Sequence, residues 1–217
     1  MRYTLLRVTS AGIVLREYHV RRLELGASGA AAEAFARFGD AAEPGVWAVW
    51  VEGPERIRTE RRAGSRLRDG IATRLACSPI ANKQGTIPKP PPPCVYDPVR
   101  SDGVATLLTS ADGAEIYEAC SAAVLGWDGE RVVCVPGDRP RVWSTAEAAV
   151  REHLPVTEAP IPVRATMPIL LVNAVKGTCG MDAPGRDAFP VDVRSGLDHL
   201  FESLFRFTLA RAKIERC

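Results

Sequence analysis

The chain has 217 residues, 46% of them hydrophobic and 25% charged, with 28 Lys and Arg against 26 Asp and Glu for a formal net charge of +2. This is ordinary globular composition, long enough for one large domain or two small ones. Acids and bases are interspersed, so neither nucleic acid nor a membrane surface is the expected partner. No apolar run approaches the roughly 20 residues that span a bilayer, and Met1-Arg2-Tyr3-Thr4 leads into a strand pattern rather than a signal peptide. The six cysteines (Cys77, Cys94, Cys120, Cys134, Cys179 and Cys217) contain no Cys-x-x-Cys pair. They read as reduced thiols of a cytoplasmic protein, and no metal site is expected.

In chain order, Tyr3-Thr4-Leu5-Leu6-Arg7-Val8 predicts a strand, Ser10-Ala11-Gly12 a turn, and Ile13-Val14-Leu15 the returning strand. Arg16 to Leu23 opens a helix, and residues 27–38 form a second, Ala-rich helix with Phe35 and Phe38 at helical spacing. Val46 to Val51 predicts a strand. The six arginines between Arg56 and Arg68 read as a solvated strand-loop-strand, and residues 70–78 resume a strand. The stretch 80–103, with four consecutive prolines ending at Pro93, forces an extended path and leaves room for a short helix over Tyr96 to Arg100 only.

Beyond it, residues 104–109 predict a strand that ends at the Asp112-Gly113 turn. Glu118 then stands at the mouth of a strand, followed by Ala119-Cys120-Ser121-Ala122-Ala123. A carboxylate before five small residues leaves space for a flat group against the backbone. Arg131 to Val135 is another strand. Ser144 with Glu147 three residues on is a capping box that starts a helix to about His153. Strands at 156–161 and 168–172 follow, the latter ending at Asn173-Ala174. Leu197, Leu200, Phe201, Leu204, Phe205 and Leu209 make one stripe of an amphipathic helix over 190–214.

Several of these pieces, in this order, resemble the class IV aminotransferases, the fold-type IV pyridoxal-phosphate enzymes, and most of all their aminodeoxychorismate lyase branch. The pieces are a strand pair around a Gly turn, His19-x-x-Arg22-Leu23, a lysine, Glu118 before small residues, and Asn173-Ala174 after a buried strand. The resemblance spans roughly residues 3 to 180. It implies an α/β, two-domain D-amino-acid aminotransferase-like fold: a small α+β domain over 1–78, a Pro-rich linker over 79–103, and a large α/β domain over 104–217.

The resemblance also implies the site. Arg22 would hold the phosphate of pyridoxal 5'-phosphate, joined by Ser144 and Thr145 at the helix start and by Asn173 and Ala174. Glu118 would pair with the pyridine nitrogen. The Schiff-base lysine would be Lys89 or, alternatively, Lys83. These lie 29 and 35 residues before Glu118, and the family spacing falls between. Thr86-Ile87-Pro88-Lys89 looks like the strand end that carries it, which favours Lys89. The expected activity is a lyase or aminotransferase acting on an amino acid or aminated chorismate-like acid, with a homodimer as the working unit.

The chain departs from the family pattern in three places. Ala123 stands where Asn is usual and Leu125 where an aromatic is usual, and Val142-Trp143-Ser144-Thr145 lacks the Gly and Arg of the phosphate turn. These departures keep open a cofactor-free binding or assembly protein. They also keep open an enzyme reusing the cleft without the cofactor, with Cys120 or Cys179 as nucleophile and His19 or His153 as base.

Overall fold

The computed structural model describes residues 1–26, 29–63, 71–91, 93–100, 103–182 and 185–201. Strand β1 (Arg2–Thr9) pairs antiparallel with both β2 (Gly12–Ile13) and β3 (Gly45–Val51), and β3 pairs with β4 (Ile57–Arg62). Together they form a four-stranded sheet in the order β2-β1-β3-β4. The return strand is shorter than expected. Leu15 takes a left-handed backbone (φ 50°) that turns the chain into helix α1 (Arg16–Arg22). Such a conformation is unfavourable for a side chain with a Cβ, and burial of Leu15 in the core holds it.

One face of this sheet packs Leu6, Val8, Val49 and Val51 against Phe35 of α2 (Ala30–Ala41). The opposite face carries Tyr3, Ala48 and Trp50. This is the inside-outside alternation of a pleated strand, with both faces covered. Arg58 lies over the Trp50 ring at 4.2 Å. The arginines at residues 64–70 fall outside the described residues.

The second sheet has nine strands in the order β12-β10-β9-β14-β15-β5-β7-β8-β13. These are β5 (Ile71–Cys77), β7 (Ala105–Thr109), β8 (Glu115–Ala119), β9 (Ala123–Trp127), β10 (Val132–Cys134), β12 (Val156–Glu158), β13 (Ile161–Pro162), β14 (Ile169–Asn173) and β15 (Gly177–Asp182). β5 falls within the 1–78 range read as the smaller domain, yet its hydrogen bonds belong to the larger sheet. It runs parallel to β7, with Thr73 opposite Ala105 and Cys77 opposite Thr109, and parallel to β15.

The sheet curls. β8 and β9, far apart in strand order, meet again through the Ala119–Ala122 bridge. Successive residues of β9 therefore enter different cores. Val124 packs inside the curl with Leu107, Ile116, Ile169 and Leu171. Ala123 and Leu125 pack outside it against Ala146, Ala149 and Val150 of α3 (Thr145–His153) and against Leu197 and Phe201. Residues 191–201 are helical, and the expected stripe residues Leu204, Phe205 and Leu209 lie outside the described residues. At β9 the curl is tight: a Cβ on Gly126 would meet Met167 Sδ at 2.7 Å.

A separate two-residue parallel ladder joins β6 (Thr86–Ile87) to β11 (Arg141–Val142). The short helix expected over Tyr96 to Arg100 is a single 3-10 turn, Asp97–Val99. Among the described residues no helix is long and apolar enough to cross a membrane.

Helix α1 docks on α3. Tyr18 Oη donates to Glu152 Oε2 at 2.8 Å, and the Arg21 guanidinium grips the same carboxylate. The four-stranded sheet is thereby fastened against the nine-stranded one, and the space left between them is the site described next.

Candidate active site

A cavity of about 570 Å³ opens there, within the size range of small-molecule sites. Arg22, Lys89, Glu118, Ser144, Thr145, Asn173 and Ala174 all line it. Lys83 does not. It is exposed on a tight turn in which its own N–H donates to Ile80 O at 2.8 Å. The structure thus brings together every site residue expected from sequence except that alternative.

Arg22, the last residue of α1, is delivered to the cavity by the helix dock. Its Nη2 donates to the Trp143 carbonyl and its guanidinium lies 5.5 Å from the centre of the Trp143 ring. Its Nε is buried with no hydrogen-bond partner among the described residues. Burial lowers its pKa to about 10 while the Glu118 charge opposes the shift. A buried guanidinium lining a cavity is the kind of group that pairs with anions.

Next to it the first turn of α3 presents its N-terminus. Ser144 caps it, accepting from Glu147 N at 3.3 Å as the capping box requires. Under that turn Arg141 and Glu147 form an ion pair buried to 5% and 3% exposure, with Arg141 Nη2 on Glu147 Oε1 at 2.9 Å. The helix start is therefore rigidly placed, with its positive dipole end toward the cavity.

His19, one turn before Arg22, is fully buried, with Nδ1 2.7 Å from Thr4 Oγ1. Burial, followed by the charges of Arg22 and Lys89, pushes its pKa well below the ordinary histidine value. It is a neutral packing residue that fixes α1 on β1.

Lys89 follows the β6 strand and sets its ammonium 5.5 Å from the centre of the Tyr3 ring. Burial first and the neighbouring Arg22 second lower its pKa to about 7. Its amine is therefore available unprotonated near neutrality, the condition for nucleophilic attack or proton transfer.

Glu118 sits inside β8, opposite Leu108, rather than at a strand mouth, because β8 continues to Ala119 before the chain turns. It is buried, and its Oε1 accepts from the Tyr96 hydroxyl and from Val142 N at 2.9 Å. Burial raises its pKa to about 7, against the lowering effect of those two hydrogen bonds. The small residues 119–123 follow along the cavity wall.

The Asn173 side chain bonds within the protein. Its side-chain amide donates to Ser121 O, and its Oδ1 accepts from Val175 N at 2.7 Å and Lys176 N at 3.1 Å. These bonds tie the β14–β15 turn to the β8–β9 turn.

Three further lining residues, Tyr96, Arg100 and Lys176, escaped the sequence reading. Tyr96 carried a local signal, as the aromatic three residues after the proline run; Arg100 and Lys176 carried none.

No protein-family model matches this chain, and neither does any curated protein. Solved structures do. A 4-amino-4-deoxychorismate lyase from Pseudomonas aeruginosa superposes with a TM-score of 0.60 at 14% identity, over 93% of this chain and 90% of that one. A fold IV transaminase from Curtobacterium pusillum gives 0.58 at 17% identity, over 99% and 85%. A hypothetical aminotransferase from Mycobacterium tuberculosis, solved in its PLP-bound form, gives 0.57 at 15% identity, over 94% and 88%. The chain has the mixed α/β fold of these fold-type IV enzymes over nearly its whole length.

Proposed function

We propose that the protein is a pyridoxal-phosphate-dependent enzyme, a lyase of the aminodeoxychorismate type or an aminotransferase, with Lys89 and Glu118 as its catalytic residues. The observation that carries this reading is the convergence of Arg22, Lys89 and Glu118 on one cavity, with burial lowering the Lys89 pKa to about 7, the range in which its amine can react near neutrality.

The residues present fit the group. The orphaned Nε of Arg22 and the capped N-terminus of α3 at Ser144 and Thr145 supply donors for a phosphate. Ala174, beside the pinned Asn173, completes that wall. The alanines of 119–123 leave the wall flat. When bound, pyridoxal phosphate supplies an aldehyde that condenses with amines and a protonated ring that accepts the electron pair of a broken substrate bond.

The protein's own residues do the rest. Arg22 holds the anion. Lys89, with a pKa near 7, gives up its proton at working pH and carries a proton to and from the reacting carbon. Glu118, held by Tyr96 and Val142, whose bonds favour its ionised form, would be the carboxylate that pairs with the ring nitrogen. Within this reading the two sheets are the hearts of two lobes, and the chain works as a homodimer. A cytoplasmic setting agrees with the free thiols of Cys77, Cys94, Cys120, Cys134 and Cys179.

The test is uptake of pyridoxal phosphate by the purified protein, read as absorbance near the visible edge that borohydride removes. Lys89→Ala is expected to abolish that absorbance and Lys83→Ala to leave it. A wild-type protein that never takes up the cofactor overturns the reading. Loss of the signal in Lys83→Ala alone moves the role to the other lysine.

A further inference from the structure

Two cysteines line the cavity, Cys94 and Cys120, and the roles proposed above use neither. Cys94 lies on the stretch that runs from Lys89 to Tyr96, and Cys120 in the turn between β8 and β9. Both are half-buried free thiols. Both pack against one small cluster, Ile80, Tyr96 and Leu108.

The Tyr96 hydroxyl donates to Glu118 and so fastens that stretch to β8. Cys94 stands two residues before this contact on one segment, and Cys120 two residues after it on the other. That is the offset at which antiparallel segments bring residues opposite each other. The backbone at each thiol is tied down: Cys94 N donates to Asp97 Oδ2 at 2.7 Å, and Cys120 N to Thr106 O at 3.1 Å. The two sulfurs are also electrostatic neighbours. Burial pushes the Cys120 pKa up, Arg100 opposes the shift, and Glu118 and Cys94 add to it.

We propose that Cys94 and Cys120 are a peroxide-sensitive pair whose disulfide closes the cavity. Hydrogen peroxide takes two electrons from the first thiol, leaving a sulfenic acid and one water. The second thiol attacks that sulfur, the S–S bond forms, and the hydroxyl leaves with the thiol's proton as a second water. A raised pKa slows attack on peroxide, which assigns the first step to Cys94 and the second to Cys120. A disulfide sets its two Cα atoms about 4.4–6.8 Å apart. The stretch after Lys89 is thereby drawn onto the small residues 119–123, over the wall left flat for a ligand. A dithiol reductant reverses the link by exchange. The closing of the cavity to pyridoxal phosphate rests on the enzyme reading above; the disulfide itself does not.

The probe is hydrogen peroxide, added to the cofactor-free protein and quenched before digestion with trypsin. Cleavage after Arg100 separates the two cysteines, so the disulfide joins peptides 84–100 and 101–131. The joined pair is expected in the oxidised protein and is expected to be absent from Cys94→Ser, from Cys120→Ser and after dithiothreitol. Cys77→Ser, which removes an exposed thiol, is expected to keep it. Oxidation is expected to raise the unfolding temperature by about 5 °C or more. It is also expected to abolish pyridoxal-phosphate uptake, which returns on reduction. Sulfinic acids, or links to Cys77, in place of the joined pair overturn the proposal. So does a joined pair that leaves cofactor uptake as it is in the reduced protein. A reduced protein that takes up no pyridoxal phosphate, yet on oxidation gives the joined pair and the higher unfolding temperature, keeps the disulfide and loses the enzyme reading.

Discussion

The Tyr96 hydroxyl and the Val142 amide both donate to the same oxygen of Glu118, Oε1, while Oε2 has no protein donor among the described residues. Glu118→Gln keeps the shape and the anion site at Arg22, so cofactor affinity should change little. Turnover should fall about tenfold to a hundredfold, since a charge-assisted hydrogen bond of roughly 1.5–3 kcal/mol is lost and each tenfold in rate is about 1.4 kcal/mol. Tyr96 acts through Glu118. Tyr96→Phe removes a bond that lowers the Glu118 pKa, so the acidic limb of the turnover–pH profile should move upward. A purely structural tyrosine would lower yield and leave that limb in place. Turnover and cofactor affinity measured side by side decide the point: unchanged turnover in a cofactor-loaded Glu118→Gln protein removes Glu118 from the site.

The same burial makes stability depend on pH in two opposite directions. The folded Glu118 binds its proton up to about pH 7 against an ordinary value of 4.5. Its contribution is fully present below about 4.5 and is lost as pH rises toward 7, by about 3 kcal/mol. Lys89 has its pKa lowered from 10.5 to about 7. The unfolded chain holds that proton where the folded one does not, so stability rises between about pH 7 and 10.5. Buried His19, its pKa held well below the ordinary value, opposes Glu118 on the acidic side, so the two effects are read as differences from wild type in denaturant unfolding of the cofactor-free protein. Glu118→Gln should remove a fall in stability between about pH 4.5 and 7, and Lys89→Met a rise between about pH 7 and 10.5. Slopes identical to wild type in both variants contradict the burial of these charges.

The Arg141–Glu147 pair beneath α3 yields a prediction about stability rather than chemistry. Both side chains are almost fully buried, and Arg141 Nη2 also donates to Val135 O at 3.1 Å. Glu147→Gln leaves Arg141 buried and unpaired, at a cost of about 3–5 kcal/mol in unfolding stability. Arg141→Met should cost less, because Glu147 Oε1 keeps its bond from Arg151 Nε at 2.8 Å. The double replacement should recover part of the loss because no lone charge remains. Additive losses in the double variant would show that the two side chains do not act as a pair.

Much of this site was legible because its parts lie in regular elements. Arg22 and Glu118 sit on a helix and a strand whose periodicity fixes which way they face, and their order along the chain carried the resemblance. Ser144 and Glu147 announced their helix start by spacing alone. The rest comes from irregular backbone. Lys83 and Lys89 flank a turn and a proline run with no side-chain period, so only the β6–β11 ladder separates them. Tyr96, Arg100 and Lys176 reach the cavity from loops. The placement of β5 in the larger sheet was equally hidden, because parallel pairing of Thr73 with Ala105 and of Met181 with Ile71 joins segments far apart in sequence. Asn173 entered through the resemblance, and its side-chain bonds within the turns are revealed only by the geometry.

The two-residue ladder between Thr86–Ile87 and Arg141–Val142 is small for what hangs on it. Trp143 N adds one more bond, to Ile87 O at 2.9 Å. Lys89 leaves this ladder two residues after Ile87. On the other side Val142 N holds Glu118, the Trp143 carbonyl holds Arg22, and Ser144 starts α3. Amine, carboxyl, guanidinium and helix start are thus registered to one another by a single short splice of backbone. A local opening of that splice would loosen the Val142 hold on Glu118 and the Trp143 hold on Arg22 in one event.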